Sequence, residues 1–272
     1  MQIAILGPIA VTTNGRTREV RAAKVRTMLA TLALKVDRVI GCRELADELW
    51  AGEEVGNTSN ALQAQATRVR KLLDEPSGAR GASVIRSVPG GYLLALPREA
   101  VDAHRFLTLA SEGAAALADE PHRARQLLEA ALGLWRGPAL LDAGDGLRCH
   151  SAAALYEERR LTVWEHLARA LLAVGEEPRA VAELQQLVAQ HPLNERFCEL
   201  LMIALYRSGR QGDALRLFRA TQQRLDEELG IQPGSGLQKR HHQILCQDPS
   251  LARRQIPGTG RPTPGNDELL TA

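Results

Sequence analysis

An internal repeat with a spacing of 34 residues constrains this 272-residue chain more than any other feature. Ala168 aligns with Met202, Leu171 with Leu205, Gly175 with Gly209, Ala180 with Ala214 and Leu184 with Phe218. Small or apolar residues at fixed offsets, with glycine between two helical runs, describe paired helices that cannot bury their apolar face alone and must stack on neighbours. Pro178 and Pro192 punctuate the units where helices begin or end. Arg123 to Trp135 fits half of the pattern, with Ala124 and Leu128 at the matching places, and Ser235 to Gln247 reads as a cap. From about Val101 the chain is Ala- and Leu-rich with few strand signals, so the spacing predicts an all-α, tetratricopeptide-like array.

Residues 1–97 read differently. Two short β-like runs, 3–6 and 9–12, flank Gly7-Pro8, and Asn14-Gly15 marks a tight turn. Apolar residues at Val25, Leu29, Leu32 and Ala33 predict a helix from Ala22 to Leu34. A second helix begins near Cys42 and turns Leu45, Leu49 and Trp50 inward. After a polar loop, the stretch NTSNALQAQATRVRKLLDE predicts a third helix, with Thr58 or Ser59 as its cap. The segment SVIRSVPGGYLLAL then predicts a β-hairpin with its tip at Pro89-Gly90-Gly91. The order is small sheet, two helices, loop, third helix and hairpin: an α+β winged helix with an N-terminal sheet.

At 100° per residue, Leu62, Ala66, Val69 and Leu73 share one face of the third helix. Asn60, Ala64, Thr67 and Lys71 lie opposite, with Gln63, Arg68 and Arg70 on the flanks. A face of hydrogen-bonding and cationic groups without a large apolar residue suits entry into a DNA major groove. Gln63 and Thr67 are suited to base edges, and the cations to guanine or phosphate. Lys24 and Arg26, opening the first helix, are candidate phosphate contacts, and Arg86 on the hairpin a minor-groove or backbone contact. For each the alternative is a solvated surface side chain. Tyr92 is expected to pack beneath the hairpin. Charge agrees in sign: residues 1–97 hold 13 Lys+Arg against 9 Asp+Glu, and residues 98–272 hold 21 against 23, so the net positive charge falls on the predicted reading half.

Other classes lose support. Cys42, Cys149, Cys198 and Cys246 are far apart without metal-ligand spacing, and His241, His242 and Cys246 form a weak cluster. No signal-peptide pattern opens the chain and no apolar run is long enough to span a membrane, so a cytoplasmic, nucleoid-associated protein with reduced thiols is expected. No GxSxG, HExxH, P-loop or GxGxxG stands at a supporting position, which argues against an enzyme, a metal site or a nucleotide cofactor. Residues 250–272, with IPGTGRPTPGN, read as a flexible tail after a helical domain at 98–249.

The opening ILGP, the helices VRTMLATLAL, ELADELW and ALQAQATRVRKLL, and the hairpin PGGYLL resemble the OmpR-type domain of Streptomyces antibiotic regulatory proteins. LWRGPALLD (Leu134–Asp142), LYRSGRQGDAL (Leu205–Leu215) and DEELGIQPG (Asp226–Gly234) resemble the same family's bacterial transcriptional activation domain. The resemblance covers roughly residues 1–250, with its motifs in order. It implies a pathway-specific activator of antibiotic genes that resembles two-component response regulators in its DNA-binding half without a receiver domain before it. It also implies two protomers on direct repeats near the −35 element of promoter DNA, and recruitment of RNA polymerase holoenzyme through a σ factor or the α or β subunits. The Trp50 indole is then a candidate phosphate donor or a core residue, and Glu53 and Glu54 candidate polymerase contacts or an ordinary polar loop. The alternative function is a repeat-type protein-interaction scaffold whose winged helix does not bind DNA.

Overall fold

The computed structural model describes residues 1–50, 53, 56–74 and 83–252. The chain is mostly helical and divides into two compact units, Met1–Val174 and Gly175–Ala272. The first opens with an antiparallel sheet, β1 (Gln2–Ala4), β2 (Ala10–Thr13) and β3 (Arg16–Glu19), in that order. Val11 pairs with Ile3 on one side and Arg18 on the other. The third strand, RTRE, escapes a hydrophobicity reading because all four residues are exposed; pairing with β2 alone makes it a strand.

Three helices follow: α1 (Ala23–Leu34), α2 (Cys42–Trp50) and α3 (Thr58–Leu73). α1 is buried along most of its length, and its Thr27 and Thr31 hydroxyls donate to the carbonyls of Ala23 and Thr27, which satisfies them inside the core. Between α1 and α2 lies a two-residue strand, β4 (Ile40–Gly41), too short to leave a sequence pattern. It joins a hairpin of β5 (Ile85–Val88) and β6 (Gly91–Leu94) in a second three-stranded sheet ordered β4-β6-β5. Gly91 has to be glycine at this junction, because a Cβ would stand 2.2 Å from the Ile40 carbonyl oxygen.

The first unit continues past the 97/98 boundary expected from the sequence, through α4 (Asp102–Ala116), α5 (Pro121–Leu132) and α6 (Leu147–Val174). Val101 makes a parallel bridge with Ile3. Asp102, opening α4, accepts the Ile5 and Leu6 N–H groups at 2.8 and 3.0 Å, and burial holds its carboxyl above the usual range against those bonds. The connection between α5 and α6 adds bonds from Arg136 N–H to the Leu6 carbonyl and from Leu140 N–H to that of Ile5. Charge and backbone pairing thus weld α4–α6 to the N-terminal sheet.

Within that weld, His104 on α4 is buried, its Nε2 donating to the Ala33 carbonyl at 3.0 Å, while Nδ1 finds no partner among the described residues. Burial holds this imidazole below its ordinary pKa, so the folded state keeps it neutral. As pH falls through the ordinary histidine value of about 6.5, the unfolded chain takes up the proton first and stability drops until the folded group also titrates. A series of thermal melts from pH 7.5 down to 5.5 should show this acid-side loss, and His104→Gln should reduce it, leaving the part due to His166 and His241, whose imidazoles burial also holds low. An unchanged acid slope in the variant would show that His104 is not the titrating group.

The second unit stacks α7 (Glu177–Gln190), α8 (Glu195–Arg207), α9 (Gln211–Leu229) and α10 (Ser235–Leu245). Ala168, Leu171, Ala180, Leu184, Met202, Leu205, Ala214 and Phe218, the aligned positions of the repeat, are all buried, and Gly175 and Gly209 share a left-handed conformation. Asn194 caps α8 through the Arg196 and Phe197 N–H groups. His241 lies flat on Phe218 at 3.9 Å between ring centroids, packing α10 onto α9. A 3-10 turn at Pro249–Leu251 follows. Leu251 is buried and its carbonyl accepts from Arg207, so packed chain reaches beyond residue 250, where the tail was expected to begin. The rest of that expected tail lies outside the described residues. Among the described residues no His, Cys, Asp or Glu group is placed to hold a metal, and no helix is long and apolar enough to cross a membrane.

Candidate nucleic-acid interface

α3 separates its faces as its periodicity predicts. Leu62, Ala66, Val69 and Leu73 are buried, and α1 and α2 pack on this helix. Asn60, Gln63, Ala64, Thr67, Arg68 and Lys71 are exposed. The cap is Asn57, one residue before the expected Thr58 and two before Ser59; its side-chain oxygen accepts the Asn60 N–H at 3.0 Å. An asparagine outside the helix reaches back to the first free amides more readily than a hydroxyl already in the first turn. That bond uses only the Asn60 backbone, and the residue itself is exposed.

The cations fall into two groups. Arg68, Lys71 and, on β5, Arg86 are exposed, with no hydrogen bond or ion pair among the described residues. Arg70, by contrast, donates through Nε to the Ile85 carbonyl at 3.0 Å and through Nη2 to Ser87 Oγ at 2.8 Å. It clamps the hairpin to α3 and is spent on holding the two elements in register. Thr67 donates its hydroxyl back to the Gln63 carbonyl, which keeps one lone pair of the oxygen outward as an acceptor. Tyr92 is buried beneath the hairpin, where burial raises its phenol pKa.

The first-helix candidates are tied down. Arg26 pairs with Asp142 at 3.1 Å and donates to the carbonyls of Asp142, Val20 and Arg21. Lys24 donates to the Leu49 carbonyl at the end of α2. Both act in this structure as internal braces rather than outstretched cations. Trp50 is half-buried at the C-terminus of α2. Glu53 is exposed, its N–H donating to the Trp50 carbonyl, while Glu54 lies outside the described residues.

Sequence reasoning passed over the acids behind this surface. Asp142 accepts the Ile9 N–H at 2.8 Å as well as Arg26, and Glu48 on α2 accepts the N–H groups of Arg148 and Cys149. The signal for Glu48 was available: a carboxylate between Leu45 and Leu49 on the buried face of a helix needs a partner.

Residues 101–245 match the family described as bacterial transcriptional activator domain. The chain is 54% identical over 252 residues to the transcriptional regulator RedD of Streptomyces coelicolor, covering 92% of this chain and 72% of that one. It is 36% identical over 258 residues to the regulatory protein DnrI of Streptomyces peucetius, covering 93% and 95% respectively. Among solved structures, Mycobacterium tuberculosis EmbR in complex with a low-affinity phosphopeptide superposes with a TM-score of 0.84 at 31% identity. That match takes in 90% of this chain, which spans 65% of the EmbR chain.

Proposed function

The chain belongs to the Streptomyces antibiotic regulatory protein family of transcriptional regulators, and on that premise we propose that it is a sequence-specific DNA-binding activator of an antibiotic gene cluster. The observation that carries this reading is the face of α3: six exposed polar or small positions, two of them cations without a partner among the described residues, and a hairpin clamped beside them by Arg70. In this reading residues 1–97 work as a winged helix. α3 enters the major groove, where Asn60, Gln63 and Thr67 meet base edges. Arg68, Lys71 and Arg86 supply phosphate or guanine contacts. Lys24 and Arg26 brace the domain and drop out of the contact set.

Two protomers on direct repeats near the −35 element complete the arrangement, with Glu53 beside α3 turned toward the σ factor of RNA polymerase. The stacked helices of the second unit, read as tetratricopeptide-like, offer a protein-binding surface. Burial of the aligned apolar positions supports that reading, since stacked repeats hide their shared face.

An anisotropy titration of the full chain with the promoter duplex of its neighbouring biosynthetic genes, beside a scrambled duplex, tests the proposal. Binding should prefer the promoter and weaken with salt; with about four phosphate contacts, affinity falls about 100-fold between 50 and 200 mM salt. Equal, weak binding to both duplexes would refute DNA reading and favour the scaffold alternative.

A further inference from the structure

We propose that Glu48 is a positioning residue for the DNA-facing helix: by capping α6 from α2 it fixes the tilt of α3. The proposal rests on the DNA-binding reading above. Glu48 is 6% exposed, and no lysine or arginine side chain hydrogen-bonds it among the described residues. A buried carboxylate needs compensation, and here it comes from the start of another helix. Oε1 accepts the Arg148 N–H at 2.5 Å and Oε2 the Cys149 N–H at 3.3 Å, two of the amides that the first turn of α6 leaves without a helical partner.

The surroundings are built for this contact. Gly146 lies against the carboxylate so closely that a Cβ there would stand 2.1 Å from Oε2. Arg148, whose amide is capped, sends its guanidinium back to Glu44 one turn earlier on α2. Lys24 of α1 also holds the last turn of α2, through the Leu49 carbonyl. α2 is therefore held by both α1 and α6, and it packs directly on α3. Without α6, Glu48 would face water and α2 would lose the contacts that Arg148 and Cys149 make to it. A helical element from the activator half thus sets the orientation of a helix in the reading half, and a shift of α6 carries to α3.

The test uses the full chain carrying Glu48→Ala, Glu48→Gln or Gly146→Ala, with promoter affinity and native-state amide exchange as readouts. Glu48→Ala should weaken promoter binding by about five-fold or more, the range seen for positions that act through a neighbour. It should also speed exchange both in the first turn of α6 and along α3. Glu48→Gln keeps a carbonyl acceptor and should recover most of both signals. Gly146→Ala should reproduce the loss from the other side of the joint, by pushing the carboxylate away. Should Glu48→Ala fail to fold, Glu48→Asp, too short to reach both amides, gives the same readouts. Faster exchange confined to α6, with affinity within two-fold of wild type, would overturn the proposal and leave Glu48 a local cap. Absence of promoter binding by the wild-type chain would refute the DNA reading instead, and exchange along α3 would then decide the linkage alone.

Discussion

The double variant Arg68→Ala/Lys71→Ala is expected to bind promoter duplex about 100-fold more weakly than wild type, with a salt slope shallower by about 1.8 for each bound protomer. Both side chains are exposed on α3 and neither is engaged among the described residues, so their removal leaves no buried partner behind. Each neutralised phosphate releases counterions worth about 0.9 in the logarithmic salt slope, so the change in slope measures how many phosphates the variant leaves unneutralised. A change of only about 0.9 for each bound protomer, with relaxed preference at one base pair of each repeat, would assign one of the two cations to a guanine. Arg70→Ala is the informative contrast. It releases the Ile85 carbonyl and Ser87 from α3, so it should cost affinity through a loosened hairpin while the slope stays near wild type. Anisotropy titrations at four salt concentrations separate these outcomes. A double variant within two-fold of wild type, with an unchanged slope, would remove this face of α3 from the interface.

That contrast also marks where the sequence was legible. The buried and exposed faces of α3 follow from a 3.6-residue period, and Leu62, Ala66, Val69 and Leu73 lie inside as expected. The apolar repeat positions, from Ala168 to Phe218, are buried for the same local reason. What escaped was set by partners distant in the chain. Arg26 and Arg68 look alike in sequence, but Asp142, 116 residues away, claims the first and nothing described claims the second. β3 and β4 were missed because pairing, not composition, makes them strands. The boundary at 97/98 marks a real change in composition, yet Asp102, Asp142 and Glu48 carry hydrogen bonds across it, and composition holds no record of such bonds.

Phe106→Ala is expected to cost the first unit about 3–5 kcal/mol, the usual range for emptying a fully buried phenylalanine site. Phe106 on α4 is fully buried, and it meets Trp135 edge-to-face with ring centroids 5.3 Å apart and planes at 85°. Trp135 is covered on another side by the Arg160 guanidinium, 4.6 Å from its ring centre. The indole is thus wedged between α4 and α6 at the start of the connection that carries Arg136, Leu140 and Asp142 to the N-terminal sheet. Removing the phenyl ring leaves a cavity that this network cannot close without moving Trp135, and moving Trp135 pulls on the bonds to Leu6, Ile5 and Ile9. In a unit of this size the loss should lower the melting temperature by roughly 10 °C. Near-ultraviolet circular dichroism should lose intensity from Trp135 below the transition as well, because its packing is changed in the folded state. Phe106→Leu, which refills part of the volume, should cost less than half as much. A drop under about 3 °C for the alanine variant would mean that the site collapses freely, and that Trp135 is not what anchors the connection between α5 and α6.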